Sequence, residues 1–544
     1  MIRLFSTKGK ILPLLMLAVF CSSCLKQLSP TGAMSNPKIA KATKVEDLLG
    51  YRDQGLPGTT VEVPAVAPRE GAGAVVLTLR EAVLMGLEHN RNFQVERLKP
   101  AISRSAEEVE RAAFDPVLSG TVSRTDGQGR ATATTGTGVP LTATRLSTND
   151  AETTQTGLGL RQATPLGATV ELSADEARQS IDDSHDSKVR QRDWDLTITQ
   201  SLLQGRGPEV SLARLRQSRL DTEISLYELQ GSAETLVAQI EQGYWDLILA
   251  ERSLAIYQQS LAIATRQVEE VNERIKIGAL AESEAAAAEA EAAGRYQQLV
   301  AAKATLAKAR LTLLRLLNPG GQVDWQSEIK LAEAPEMPAI EIDTVENHVA
   351  VALGKRPDLN QARLLVRRQD LAVTQTRNGL LPKLDLFISL GGSRYTSSFS
   401  DQKDELDKAT TYTGGLTLEL PLGNRAAKAR HAAAGWSLNQ AGAALANMEQ
   451  LVQVDVRSAY VDVEQAAAQV KAARATAALR QKTLDLEQEK FRLGRSTTLL
   501  VAQAQRDLVG SRIAEAEAVV GVRKAILELY RLEGSLLSHR GIGA

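Results

Sequence analysis

The sequence predicts a mostly helical protein with a smaller β-strand portion, built from two copies of a strand-strand-helix-helix unit. Three observations carry this prediction. Residues 240–317 align with residues 456–533 without a gap at an offset of 216, so that Gly278 falls on Gly494. Residues 79–98 align with residues 345–364 at an offset of 266. Aromatic residues make up only 4% of the 544 residues, which suits long helices packed along narrow seams better than a thick globular core.

The repeats divide the chain into segments. We predict a signal peptide at residues 1–23, an N-terminal extended arm at 24–76, a first repeat at 77–323, a linker at 324–344, a second repeat at 345–536 and a C-terminal tail at 537–544. The signal peptide is indicated by basic Arg3, Lys8 and Lys10, which precede an apolar run at 11–20 that is too short to span a bilayer. Closely spaced prolines in the arm exclude a helix or a central strand there.

The two cysteines of the chain, Cys21 and Cys24, lie at the boundary between the predicted signal peptide and the arm. The segment that finishes at Cys24 resembles a bacterial lipoprotein cleavage box, in which small residues precede an acceptor cysteine. We therefore expect lipidation of Cys24, and ordinary signal cleavage without a lipid is the alternative. The mature chain keeps at most one cysteine, so disulfides take no part in its fold.

Apolar residues at every second position predict strands in both copies. In the second copy they are Leu384, Leu386, Ile388 and Leu390, followed by a partner strand around 412–420. The first copy offers strands at 117–124 and 194–202, with an extra hairpin at 157–162 and 168–173. Residues 127–150 and 393–408 are predicted to be exposed loops. Strands with one apolar and one polar face suit either a half-buried sheet or the wall of a barrel, and alternation alone does not choose between them.

The strongest helical signals are at 208–277 and 424–493, and each is followed by a second helix, at 281–317 and 497–532. Apolar residues recur every seven positions in both long helices. They are Ile240, Leu247, Leu254, Leu261, Val268 and Ile275 in the first copy and Val456, Val463, Val470, Ala477, Leu484 and Phe491 in the second. A strict seven-residue repeat keeps one seam against a partner helix. With Gly278 and Gly494 as helix breaks, each copy is predicted to end in a coiled-coil hairpin.

Charge and motif content exclude several classes of function. The 64 basic and 65 acidic residues nearly cancel, which gives no indication of a nucleic-acid partner. The five histidines are scattered without metal-ligand spacing, so we predict no metal site and no cofactor. Glycine clusters lack the lysine of a phosphate-binding loop. We therefore predict that the protein is not an enzyme.

The order of these features resembles the TolC family of bacterial outer-membrane efflux proteins. The features are the lipoprotein-like signal, the duplicated unit, Pro116 and Pro382 before strands, Gly278 and Gly494 at hairpin turns, and the strand-to-helix segments 202–205 and 420–423. The resemblance covers residues 77–536. It implies a homotrimer with a shared membrane β-barrel and a long coiled-coil α-barrel in the periplasm. It also implies a passive exit duct of a tripartite efflux or type I secretion system, docked on a periplasmic adaptor and an inner-membrane transporter.

The resemblance also assigns roles to the hairpin ends. Family members narrow the tunnel entrance with aspartates six and nine positions after the second turn glycine, but Leu500 and Gln503 stand there in this chain. In the first copy the matching position is Glu284, with Glu282 nearby, so a ring of Glu284 carboxylates is a candidate constriction. The tip residues expected to contact the adaptor are Arg274, Gly278, Ala279, Arg492, Gly494 and Arg495.

The rival hypothesis is a lipid-anchored periplasmic protein, either a structural coiled coil or an adaptor. An adaptor has one helical hairpin and a compact lipoyl-like domain, which does not fit the duplication. A structural coiled coil leaves the alternating strands of both copies without a role. Six strand candidates depart from the four per chain usual in the family, which leaves open whether the extra hairpin joins the barrel.

Overall fold

The structure is a computed structural model, and it describes residues 75–133, 145–182, 187–318, 325, 329–332, 342–397 and 408–542. The predicted signal peptide, Cys24 and nearly all of the predicted arm lie outside the described residues. The helices are α1 Leu79–His89, α2 Arg91–Glu96, α3 Lys99–Ala112, α4 Pro208–Ser211, α5 Ala213–Lys276, α6 Ser283–Leu317, α7 Val345–Lys355, α8 Pro357–Asn378, α9 Arg425–Arg492, α10 Thr498–Glu533 and α11 Leu536–His539. The strands are β1 Val75–Leu77, β2 Val117–Ala133, β3 Arg145–Ala163, β4 Ala168–Asp182, β5 Ser187–Ser201, β6 Ile329–Leu331, β7 Lys383–Ser397 and β8 Lys408–Glu419.

The duplication seen in the sequence is reproduced by the helix bounds. Helix α7 begins and ends 266 residues after α1, and the single helix α8 corresponds at the same offset to the combined span of α2 and α3. Helices α5 and α9 end 216 residues apart, as do α6 and α10. The predicted duplicated unit is therefore confirmed, since the same local sequence pattern folds in the same way twice.

Six strands form one antiparallel sheet in the order β2-β3-β4-β5-β7-β8. The predicted extra hairpin is β3 and β4, and it is fully inserted between β2 and β5. The strands run further than alternation predicts: β2 continues to Ala133 and β3 begins at Arg145, so much of the predicted loop 127–150 is strand. In the predicted loop 393–408, residues 393–397 belong to β7, which ends at Ser397. The loop prediction was therefore wrong for residues 127–133, 145–150 and 393–397, where backbone pairing with a neighbouring strand continues, while residues 134–144 and 398–407 lie outside the described residues.

The long helices pack side by side. Helix α5 lies against α6 and α10, and α10 lies against α9, so the order across this layer is α6-α5-α10-α9. The seam predicted for α9 is confirmed in full, since all six of its seven-residue positions are buried. In α5 the prediction holds at Ile240 and Leu247 only. Beyond them the buried positions include Ala250, Ile256, Ser260, Ala264 and Val271, while Leu254, Leu261, Val268 and Ile275 are only partly buried.

A core lies where the shorter helices of the first repeat meet α5. Tyr244 and Trp245 of α5 are buried there, and the Tyr244 hydroxyl donates to the Leu77 carbonyl across 3.2 Å. Helix α1 approaches α5 so closely that a Cβ atom at Gly86 would lie 2.2 Å from Ile240 Cδ1. Strands β1 and β6 pair in parallel beside this core. This pairing ties the start of the first repeat to the segment between the repeats.

Candidate functional site

The sheet has one apolar and one polar face. The pairing register places the even-numbered residues of all six strands on one face and the odd-numbered residues on the other. The even face carries Leu118, Val122, Leu158, Leu160, Leu172, Trp194, Leu196, Ile198, Leu386, Ile388, Leu390, Tyr412, Leu416 and Leu418. Most of these side chains are exposed in the single chain. An exposed apolar sheet face of this extent requires lipid or protein to cover it.

The odd face is polar and rich in hydroxyls and carboxylates. Asp195 accepts a hydrogen bond from the Thr197 hydroxyl at 2.5 Å and another from the Ser389 hydroxyl on the neighbouring strand. Asp193 accepts from the Gln191 amide at 2.7 Å. Such side chains are satisfied by one another and by water, as in the water-filled interior of a barrel. The two faces together favour a wall between lipid and an aqueous lumen.

Each hairpin ends in a turn of the same geometry. Gly278 has φ +76° and its amide donates to the Ile275 carbonyl, while the Ala279 amide donates to the Arg274 carbonyl at 2.8 Å. Gly494 has φ +70°, and the Arg495 amide donates to the Lys490 carbonyl at 2.8 Å. These are Schellman motifs, which need the left-handed conformation that glycine adopts without strain. The sequence prediction of two equivalent tips is thereby confirmed in structure.

The predicted tip residues differ in their surroundings. Gly278, Ala279, Arg492, Gly494 and Arg495 are exposed. Arg274 is held within the chain, because its guanidinium pairs with Glu270 at 2.5 Å and lies 4.9 Å from the centre of the Phe491 ring of α9. Arg274 therefore joins the two hairpins to each other near their ends. Contact with an adaptor stays a prediction for all six residues.

The predicted constriction residues are not brought into contact. Glu284 is partly buried in the first turn of α6, Glu282 precedes it and is exposed, and Leu500 and Gln503 are exposed on α10. In the part of the chain that the structure describes, no hydrogen bond or ion pair joins these four side chains. A constriction formed by them needs more than one copy of the chain.

Two groups of charged side chains were not predicted from the sequence. Glu241 of α5 is fully buried and paired with Arg540 after α11, through two bonds of 2.5 Å. Glu176 of β4 is surrounded by Arg178, Arg190 and Arg192. The first pair joins residues nearly 300 positions apart and leaves no local signal. The second group was detectable, because Arg190, Arg192 and Trp194 alternate on one strand face.

Within the described ranges, no group of histidine, cysteine or acidic residues has the arrangement of a metal site. None of the described helices combines the length and the apolar character that a membrane span requires.

Comparison with known proteins gives a consistent answer. Residues 349–535 match the family model for the outer membrane efflux protein. The outer membrane efflux protein BepC of Brucella suis is 26% identical over 312 residues, or 57% of this chain and 65% of BepC, so the match spans just under two thirds of that relative. A membrane protein from Pseudomonas aeruginosa has a similar fold, with a TM-score of 0.62, 21% identity and coverage of 84% of this chain and 93% of that one. The Campylobacter jejuni CmeC outer membrane channel gives a TM-score of 0.61 at 15% identity, with coverage of 84% and 86%.

Proposed function

We propose that the chain is an outer membrane efflux protein of the TolC type, located in the bacterial outer membrane with its helical portion in the periplasm, and that three copies form a passive exit duct. One observation carries the proposal. The described sheet has two different outer strands, β2 and β8, and the described helical layer has two different outer helices, α6 and α9. The duct is a transport channel rather than an enzyme. It receives its cargo from an inner-membrane transporter through a periplasmic adaptor.

The sheet supports closure by several copies. Its outer strands are β2 and β8, and within the described sheet each has a neighbour on one side only. A membrane does not tolerate unpaired strand edges, and six strands are too few to surround a water-filled bore. If β2 of one copy pairs with β8 of the next, three copies with six strands each give eighteen strands. Barrels of about 16–18 strands leave an aqueous channel.

The helical layer has the same asymmetry. Helix α6 ends the layer on one side and exposes Tyr296 and Val300, while α9 ends it on the other and exposes a longer apolar seam. The seam consists of Leu451, Val454, Val461, Leu479 and Leu486. Unlike edges that fit each other generate a ring when the rotation closes. Joining α6 of one copy to α9 of the next buries both seams and continues the coiled coil around a tunnel.

A comparison of the two repeats indicates where a helix of another copy would pack. Helix α8 packs against both α5 and α9, and its Leu364 is 6% exposed. The corresponding helix α3 packs against α5, and the matching residue, Leu98, is 60% exposed. Val95, Ile102 and Val109 continue an exposed apolar stripe from Leu98 at helical spacing. A second copy that supplies α9 to this stripe gives both repeats the same environment.

The hairpin ends form the inner mouth of the proposed duct. Three copies bring six tips together, and Glu282, Glu284, Leu500 and Gln503 lie near them as the candidate constriction. The exposed tip residues Gly278, Ala279, Arg492, Gly494 and Arg495, with Arg274 behind them, form the proposed adaptor contact. Lipidation of Cys24 adds a membrane anchor, which the mass of the mature N-terminal peptide tests directly.

The experiment is a mass measurement by light scattering on the detergent-extracted protein, followed by conductance in planar bilayers. We expect a trimer that conducts. Val461→Asp places a charge in the α9 seam and should yield monomers, whereas Lys471→Asp, at an exposed charged position of the same helix, should leave the trimer intact. A conducting wild-type monomer, or an intact trimer in the Val461→Asp variant, contradicts the proposed arrangement.

A further inference from the structure

A sharp boundary crosses the apolar face of the sheet. Ala174, Trp194 and Gly392 lie in register on three neighbouring strands and form the last apolar row. The next row on the same face is Glu176, Arg192 and Arg394, and Arg178 pairs with Arg190 one row further. Adjacent rows are two residues, or about 7 Å, apart along a strand. Apolar and charged side chains therefore meet within one row.

The charged rows form a basic cluster, here called the arginine cluster: Glu176, Arg178, Arg190, Arg192 and Arg394. The guanidinium groups of Arg178 and Arg190 lie 2.7 Å and 2.8 Å from the Glu176 carboxylate, and that of Arg192 lies 3.6 Å away. One carboxylate is thus shared by three guanidinium groups, which leaves a surplus of positive charge. The aspartates next in sequence, Asp175 and Asp193, belong to the opposite face of the sheet.

A hollow opens directly beside the cluster. The indole of Trp194 lies over Gly392, where a Cβ atom would be only 2.4 Å from Trp194 Nε1. The result is a cavity of ≈ 550 Å³ whose lining includes apolar Leu158, Ala174 and Trp194 together with Glu176, Arg192 and Arg394. Asp175 and Asp193 also line it, from positions that the strand register places on the opposite face. On the apolar face, the site therefore combines an apolar floor with the guanidinium groups of the arginine cluster. That combination suits a molecule with an apolar chain and an anionic group.

The position of the cluster relative to the membrane follows from the chain path. Strands β2 and β7 begin directly after α3 and α8, and β5 and β8 lead into α4 and α9. All helices therefore attach at one end of the sheet, and the arginine cluster lies toward the other end. From Tyr412 of β8 to Leu420, the residue after it, the positions on the apolar face extend roughly 27 Å along the chain, or about 20 Å across a membrane at the tilt usual for barrels. With the helices in the periplasm, the cluster lies at the outer leaflet, next to the tryptophan that marks the interface.

We propose that the arginine cluster and the hollow over Gly392 bind a phosphate-bearing lipid of the outer leaflet. The guanidinium groups take the phosphate, since arginine offers paired donors that match phosphate oxygens. The apolar floor takes the first part of an acyl chain. The inference rests on the outer-membrane localisation and is independent of the trimer contacts and of the tripartite partnership.

The test uses the full-length protein in detergent, with lipid A as the probe and native mass spectrometry as the readout. Wild type should bind lipid A, and the Arg190→Gln/Arg192→Gln variant should bind it at least tenfold more weakly. Arg161→Gln is the matched control, because Arg161 lies on the opposite face of the sheet and pairs with Glu171 at 3.0 Å. It should bind as wild type does.

Two further arms separate the sources of binding. Dephosphorylated lipid A should bind the wild-type protein as weakly as lipid A binds the double variant. This measurement uses only the wild-type protein, so it tests the proposal even if the double variant does not fold. Inorganic phosphate at equal concentration should not displace lipid A. Equal binding of both lipids, unchanged binding in a folded double variant, or displacement by inorganic phosphate overturns the proposal. Conductance and trimer mass are read separately, so failure here does not imply failure of the duct.

Discussion

The buried ion pair between Glu241 and Arg540 gives the most specific prediction about stability. Glu241 is 0% exposed in the middle of α5, while the Arg540 side chain is 36% exposed at the end of the chain. Both guanidinium bonds to the carboxylate are 2.5 Å long. The preceding turn anchors Arg540, because Leu536 and Leu537 are buried and His539 stacks on Tyr530 with ring centres 4.0 Å apart. The end of the chain is therefore part of the core around α5.

Arg540→Ala removes the guanidinium group that pairs with the buried Glu241 carboxylate. Removing one partner of a buried pair costs about 3–5 kcal/mol, and we expect the lower end because water can enter where Arg540 is exposed. A loss of about 3 kcal/mol corresponds to roughly a 150-fold change in a local opening equilibrium. Amide hydrogen exchange reports that equilibrium segment by segment. We expect peptides covering 229–250 and 530–542 to exchange about 100-fold faster in the variant.

Two variants make the reasoning refutable. Arg492→Ala removes an exposed arginine whose contact with Glu489 is 3.4 Å long. It should change the free energy of local opening, measured by hydrogen exchange, by less than about 0.5 kcal/mol. Arg540→Ala/Glu241→Gln removes the buried charge as well and should recover most of the protection. If Arg540→Ala exchanges like Arg492→Ala, the pair does not hold this region. If the double variant is as fast as Arg540→Ala, the loss comes from undocking of the chain end and not from the buried Glu241 charge.

Three other predictions concern the helical layer. Burial raises the pKa of Glu234 from 4.5 to about 7, so the folded state loses stability as pH rises through this range. The free energy of unfolding of Glu234→Gln, measured with urea on the extracted protein, should equal that of wild type near pH 4 and exceed it by about 3 kcal/mol at pH 8. Gly494→Ala should cost about 1 kcal/mol in the same assay because of its φ of +70°, whereas Gly510→Ala, in the interior of α10 with open space around it, should stabilise by up to about 1 kcal/mol. Val470→Ala should cost about 2 kcal/mol, since Val470 is fully buried in the α9 seam, and an unchanged unfolding midpoint would show that the seam is loosely packed.

Much of the helical architecture was predictable because its signals are local. The turn glycines Gly278 and Gly494 mark the hairpin ends, since a Schellman turn needs one residue with positive φ. The seven-residue pattern of α9 identifies its buried seam at every position, because α10 packs along the seam, with α7 joining it at Val456 and Val463. Repetition of the pattern at a constant offset then predicts the second copy from the first.

The α5 seam shows where this reasoning stops. Helix α5 has several neighbours, with α6 and α10 along its length and α3 and α8 near its start. Several packing directions move burial from Leu254 and Leu261 to Ala250 and Ala264, where small side chains permit close approach. The seven-residue apolar pattern marks Leu254 and Leu261 and does not mark Ala250 and Ala264. Which positions of α5 are buried depends on which helices pack against each of its sides.

The sequence by itself determined the duplication, the hairpins and the two-faced strands, because each follows from periodicity or from residues close together in the chain. Only the tertiary structure decided the strand order, the insertion of β3 and β4 into the sheet, the pairing of Glu241 with Arg540 and the row of Glu176, Arg192 and Arg394. Alternation says which residues of one strand share a face, but it does not say which strands become neighbours. Contacts between distant segments are set by that choice, and with them the charge of each surface.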